Sequence, residues 1–91
     1  MNYKSYNTFL KMERKDILAQ INTIFVDTLD NEDVVIMEET TANDVEEWDS
    51  LTHIRLVVAI EKHFKIRFAS KEIQSWANVG EMMDCIQQKG I

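Results

Sequence analysis

Glu47-Trp48-Asp49-Ser50-Leu51, with the apolar run Leu56-Val57-Val58-Ala59-Ile60 and on to Phe64, is the stretch on which the fold turns. Asp49 has the chemistry of an N-cap. Its carboxylate can accept from the free N–H groups of a first helical turn, and it lies at the positive end of the helix dipole. Ser50 then falls at the first helical position, exposed at the mouth of the helix. At about 100° per residue, Leu56, Val57, Ile60 and Phe64 share one side, where a core-facing stripe belongs. Leu51, Ile54 and Val58 make a second strip, and Ser50 borders it. Two readings stand: a central helix buried all round, or a helix whose second strip is a docking surface beside the serine.

Working outward, the surrounding chain is built for helices. It has no proline and only two glycines, Gly80 and Gly90, so hairpins and tight turns are poorly provided for. Its 91 residues suit one small domain, and 45% apolar with 29% charged residues is an ordinary globular balance. No apolar run approaches membrane-spanning length, and residues 1–6 lack the apolar core of a signal peptide. Cys85, the single cysteine, has no internal disulfide partner, which suits a reducing, cytoplasmic setting.

Charge is distributed unevenly. Residues 16–54 hold eleven acidic side chains and no Lys or Arg, whereas residues 1–15 hold four basic and one acidic, and residues 55–91 six basic and four acidic. With a net charge of −6, this argues against nucleic acid, whose phosphates need clustered Lys and Arg. A basic protein surface is the natural complement of the acidic segment, the alternative being a solvated loop with no partner.

Residues 1–11 have weak periodicity and read as a flexible extension, with Met12 an alternative start. A first amphipathic helix is predicted over 13–29 from Ile17, Ile21, Ile24, Phe25, Leu18 and Leu29, with Lys15, Gln20, Asn22 and Asp27 on its polar side. Residues 30–48 form a long connection carrying buried-type Val34, Val35, Ile36, Met37 and Val45, a length that is normally functional or disordered. Its acidity does not make a calcium loop: counting from Asp30, the fifth, sixth and twelfth positions are Val34, Val35 and Thr41. Trp48 either pins the connection to the helices or stands partly exposed beside the serine. Beyond Phe64, Ile66 and Phe68 point inward from an extended linker. Ser70 then caps a short helix over 71–76, with Ile73 turned inward. Asn78 with Glu81 makes an asparagine capping box for a last helix, whose inward face is Val79, Met82, Met83 and Ile86 and whose stop is Gly90. Met82 and Met83 read as core filler and Cys85 as structural.

Ser50 makes a poor catalyst. His53, the nearest base, is three residues away on the same rigid helix, and no glycine-rich elbow presents the hydroxyl at a strained turn. It is better placed as a substrate than as a catalyst.

Asp49-Ser50-Leu51 resembles the Asp-Ser-Leu attachment motif of acyl carrier proteins. The likeness continues through Leu56-Val57-Val58-Ala59-Ile60-Glu61, Phe64 and Ile66, and in helix order and loop lengths over residues 12–91. It implies an all-α fold, a small four-helix bundle of three main helices and one short one, with a long loop between the first and second. It implies a carrier, not an enzyme, with 4′-phosphopantetheine carried covalently on Ser50, flanked by Asp49 and Leu51. A phosphopantetheinyl transferase would supply the arm from coenzyme A, and acyl-loading, synthase or acyltransferase enzymes would be the partners of a monomeric protein. Docking would fall to Leu51, Ile54 and Val58 together with Glu46, Glu47, Trp48, Arg55 and Glu61. Leu56, Ile60 and Phe64, packed on Ile21, Phe25, Val79 and Met83, would form the core, and in some relatives the acyl chain slips between such helices. An aminoacyl or peptidyl carrier shares these features. A non-covalent helical adaptor using Leu51, Ile54 and Val58 is the reading from another class. One departure stands out: carriers of general fatty-acid synthesis have a strongly acidic helix after the serine. Here its polar positions are Thr52, His53, Arg55, Lys62 and His63, leaving only Glu61. Two cations on that helix would repel a basic partner site, and the version resembles carriers of a specialised pathway such as polysaccharide modification or secondary metabolism.

Overall fold

The computed structural model describes residues 12–91. The N-terminal extension expected at 1–11 lies outside them. The described residues form four α-helices, α1 (Arg14–Leu29), α2 (Ser50–Phe64), α3 (Ser70–Ser75) and α4 (Val79–Gln88), with one 3-10 turn at Ala42–Asp44 and no strand. This is the expected all-α arrangement, with a long loop between α1 and α2.

Helix periodicity places the core. Ile17, Ile21 and Phe25 of α1 meet Leu56 and Ile60 of α2 and Val79, Met82, Met83 and Ile86 of α4, all without solvent exposure. Phe64 and Phe68 close the same cluster. The sequence supplies no glycine where α1 and α2 end. Both helices reverse through non-glycine residues in the left-handed region, Asp30 at φ 52° and Lys65 at φ 58°. Asn31 N–H donates back to the Val26 carbonyl and Ile66 N–H to the Glu61 carbonyl, closing each helix end.

The long loop is held by bonds that periodicity does not announce. Asn22, expected on the polar side of α1, instead binds the loop backbone: its Nδ2 donates to the Val34 carbonyl at 3.2 Å and its Oδ1 accepts from Ile36 N–H at 2.7 Å. Held extended there, the chain alternates, so Val34 and Ile36 are buried while Val35 and Met37, expected to be buried too, face solvent. Further on, Gly80 N–H donates to the Glu38 carbonyl at 2.7 Å and Val79 N–H to the Thr40 carbonyl at 2.9 Å, docking the loop on the N-terminus of α4. A Cβ at position 80 would stand 3.1 Å from that Glu38 carbonyl, which explains a glycine in mid-sequence. Arg14 clasps the same corner, donating to Glu38 at 3.0 Å, Gln87 at 2.7 Å and the Gly80 carbonyl at 3.0 Å, with Asp84 at 2.8 Å. The Glu38 bond foremost holds its guanidinium above the ordinary arginine range.

Two helix starts differ from expectation. α3 begins at Ser70 with Ala69 as its cap. No hydroxyl caps it; the Glu72 carboxylate instead reaches back to Ala69 N–H at 2.7 Å. That bond first, and Lys89 second, hold Glu72 below the usual carboxylate range. Ile73 is only half-buried. At α4, Asn78 Oδ1 accepts from Glu81 N–H as expected, but the Glu81 carboxylate accepts from Ala77 N–H, one residue before the predicted partner. Cys85 is half-buried and its sulfur accepts from Trp76 Nε1 at 3.1 Å, a structural role.

Candidate functional site

α2 starts at Ser50, and its start is locked from both sides. Asp49 Oδ1 accepts from Leu51 N–H and Thr52 N–H, each at 2.9 Å, while Thr52 Oγ1 accepts from Asp49 N–H at 2.8 Å. The Thr52 hydroxyl in turn donates to the Glu47 carbonyl at 2.7 Å, tying the preceding turn to the helix. Of these contacts the Thr52 N–H bond acts most on Asp49 and holds its carboxyl below the ordinary range. A charged cap at pH 7 is thereby secured, next to Ser50.

Trp48, expected among the docking residues, is packed inward. It is 7% exposed, with its ring edge-on to Phe25 at 4.9 Å, so of its two expected roles the pin is the one it fills. Its indole N–H donates to His53 Nδ1 at 3.0 Å, and His53 Nε2 lies 3.3 Å from the Ile73 carbonyl. Both bonds are satisfied by one tautomer, with the proton on Nε2. His53 is therefore a strut between the loop, α2 and α3, with neither ring nitrogen left to activate Ser50.

Ser50 itself is exposed, and among the described residues its hydroxyl makes no hydrogen bond. It lines a cleft of about 280 Å³ with His53, Ile54, Ser70, Ile73 and Gln74. The contribution of α3 to this cleft was not legible in the sequence, because it depends on how a six-residue helix folds back. The strip beside Ser50 is real: Leu51, Ile54 and Val58 are 66%, 55% and 43% exposed, so the helix buried all round is excluded. Glu46 and Arg55 are exposed as well. Glu47 and Glu61 are half-occupied by the fold, Glu47 accepting from Asn31 Nδ2 at 2.9 Å and Glu61 from Phe68 N–H at 2.8 Å. No group of three or more potential metal ligands lies together among the described residues.

The arrangement fits a covalent attachment point better than a reaction centre. It offers a free hydroxyl at a rigid helix start, an adjoining shallow cleft with both polar and apolar walls, and an apolar strip with charged borders. Comparisons with known proteins show the family. A family model described as "Phosphopantetheine attachment site" matches residues 19–86. An acyl carrier protein from Coprothermobacter proteolyticus is 30% identical over 77 residues, covering 84% of this chain and 93% of its own. The solution structure of a holo acyl carrier protein from Geobacter metallireducens superposes with a TM-score of 0.74 at 42% identity, covering 79% of this chain and 83% of that one.

Proposed function

The chain belongs to the phosphopantetheine-attachment family of acyl carrier proteins and carries covalent 4′-phosphopantetheine, and from that membership we propose that Ser50 is the residue modified. The observation that carries this is the Ser50 hydroxyl, exposed and unbonded among the described residues, at a helix start fixed by Asp49 and Thr52. A phosphopantetheinyl transferase supplies the base and the coenzyme A. Ser50 Oγ forms the new phosphate ester, its proton passes to the transferase, and adenosine 3′,5′-bisphosphate leaves. When bound, the arm supplies a terminal thiol that holds an acyl group as an activated thioester.

The residues of this chain do the presenting. Asp49 and Thr52 keep the first turn of α2 from fraying, and the His53 strut keeps α2 and α3 at fixed separation across the cleft. Leu51, Ile54 and Val58 offer partner enzymes an apolar ridge, with Glu46 and Asp49 beside it for basic residues. Tethering raises the effective concentration of cargo at each docked partner. The protein acts as a cytoplasmic monomer serving loading, synthase or acyltransferase enzymes. The mixed charge of α2 points to a specialised pathway over general fatty-acid synthesis.

The test is intact-protein mass after incubation with coenzyme A, magnesium and a permissive transferase. A gain of one phosphopantetheine, absent in Ser50→Ala, is expected. An unchanged mass for the folded protein would leave an adaptor working through Leu51, Ile54 and Val58.

A further inference from the structure

The C-terminal end of α2 carries a feature that attachment does not use. Val58, Glu61, Lys62, Lys65, Ile66 and Arg67 line a cleft of about 580 Å³. Lys62, Lys65 and Arg67 are exposed, and none of them forms an ion pair among the described residues. The one carboxylate in the cleft, Glu61, is engaged by Phe68 N–H. Three cations thus share one hollow with a single carboxylate and no ion pair, a local excess of positive charge beside the exposed Val58 that continues the strip from Leu51 and Ile54. The other end of the same helix is acidic, with Asp44, Glu46 and Asp49 all exposed. From Asp49 to Lys62 the helix rises by about 20 Å, so the two charge clusters stand well apart.

Resting on the carrier reading above, we propose that the partner enzyme presents carboxylates to Lys62, Lys65 and Arg67, as well as cations to Glu46 and Asp49, so that α2 docks in one direction only. Opposite charges at two ends of an apolar ridge define polarity as well as place, and a partner turned end for end meets like charge twice. A compact protein patch is the occupant that fits. An anionic membrane or a nucleic acid is an extended polyanion, disfavoured by a chain of net charge −6.

Two probes test this on the isotope-labelled holo-protein: an amphipathic helical peptide with a leucine face bordered by glutamates, and its counterpart with lysines in their place. The glutamate peptide is expected to shift the amide resonances of residues 58–67. Its affinity should fall about tenfold or more in the double variant Lys62→Glu, Arg67→Glu, and by a smaller factor in Lys62→Gln, Arg67→Gln, with the remaining resonances unmoved as the check on folding. The proposal is overturned if the lysine peptide occupies residues 58–67 equally well, if neither peptide binds, or if charge reversal leaves the glutamate peptide's affinity unchanged. Sedimentation of the native protein, but not the reversed variant, with phosphatidylglycerol vesicles would equally overturn it and assign the cations to a membrane. Arm attachment is read by mass on the same samples, so a carrier that fails to load and a surface that fails to bind leave different records.

Discussion

The two ends of α2 are built on opposite principles. At its start the groups around the Ser50 hydroxyl are engaged while that hydroxyl is left free: Asp49 and Thr52 cap each other's turn, Thr52 reaches Glu47, and Trp48 and His53 join the loop to α3. At its end the chain turns through a lysine in the left-handed region, and three cations stand without ion-pair partners among the described residues. The contrast teaches where rigidity is needed. A residue to be modified by another enzyme must be held still while its hydroxyl stays free, whereas charges meant for a partner are best left uncommitted, because an internal ion pair would have to be broken before docking.

The comparison is broken most forcefully through the side of α2 that supports both ends. Ile60→Ala, at a position with no solvent exposure, should cost about 2–5 kcal/mol in urea unfolding. Ile54→Ala, on the exposed strip, should change stability by less than about 0.5 kcal/mol and act on partner binding alone. Equal losses for the two would mean that the strip is core. At the locked end, Trp48→Phe keeps an aromatic edge on Phe25 but removes the N–H donor to His53, for an expected cost of about 1 kcal/mol. No loss on denaturation would show that the strut carries no weight.

At the open end, Lys65→Gly should stabilise by up to about 1 kcal/mol, since glycine adopts φ 58° without the Cβ penalty, the gain being reduced by its greater freedom when unfolded. The same substitution removes a cation of the proposed docking patch, so stability and affinity for the glutamate peptide should move in opposite directions. The gentlest effect is confined to acid. Asp49 is held below its ordinary range in the folded state, so the stability that its charge confers is complete above the unfolded-state value of 3.8 and is lost as pH falls through the lower folded one. Melting temperatures measured downward from pH 5 should therefore converge between the native protein and Asp49→Asn, whose cap does not titrate. Parallel curves would mean that the cap's charge contributes nothing.

Local chemistry in the sequence was readable, and long-range partnership was not. Ser50 at the first turn of α2, the Asp49 cap, the Leu56–Ile60 stripe and the separate Leu51–Ile54–Val58 strip all follow from spacing within one helix, and the structure places them as spacing implied. Trp48 could not be decided, because burial of a residue just before a cap depends on Phe25, more than twenty positions away. Val35 and Met37 depart from expectation because apolar residues in an extended segment alternate sides, and Asn22 of α1 holds the segment extended. The Arg14 clasp and the contribution of α3 to the Ser50 cleft had no local signal at all, since both join residues far apart in sequence.

Ser50 shares its cleft with a second hydroxyl, that of Ser70, only one of which stands at the capped start of α2. The decisive measurement is fragment-ion mass spectrometry of the protein after transferase treatment, to find which residue carries the phosphopantetheine. The account predicts that it lies wholly on Ser50, with no modified peptide containing Ser70 and no mass gain in Ser50→Ala. Modification of Ser70, or a gain that survives Ser50→Ala, would contradict it.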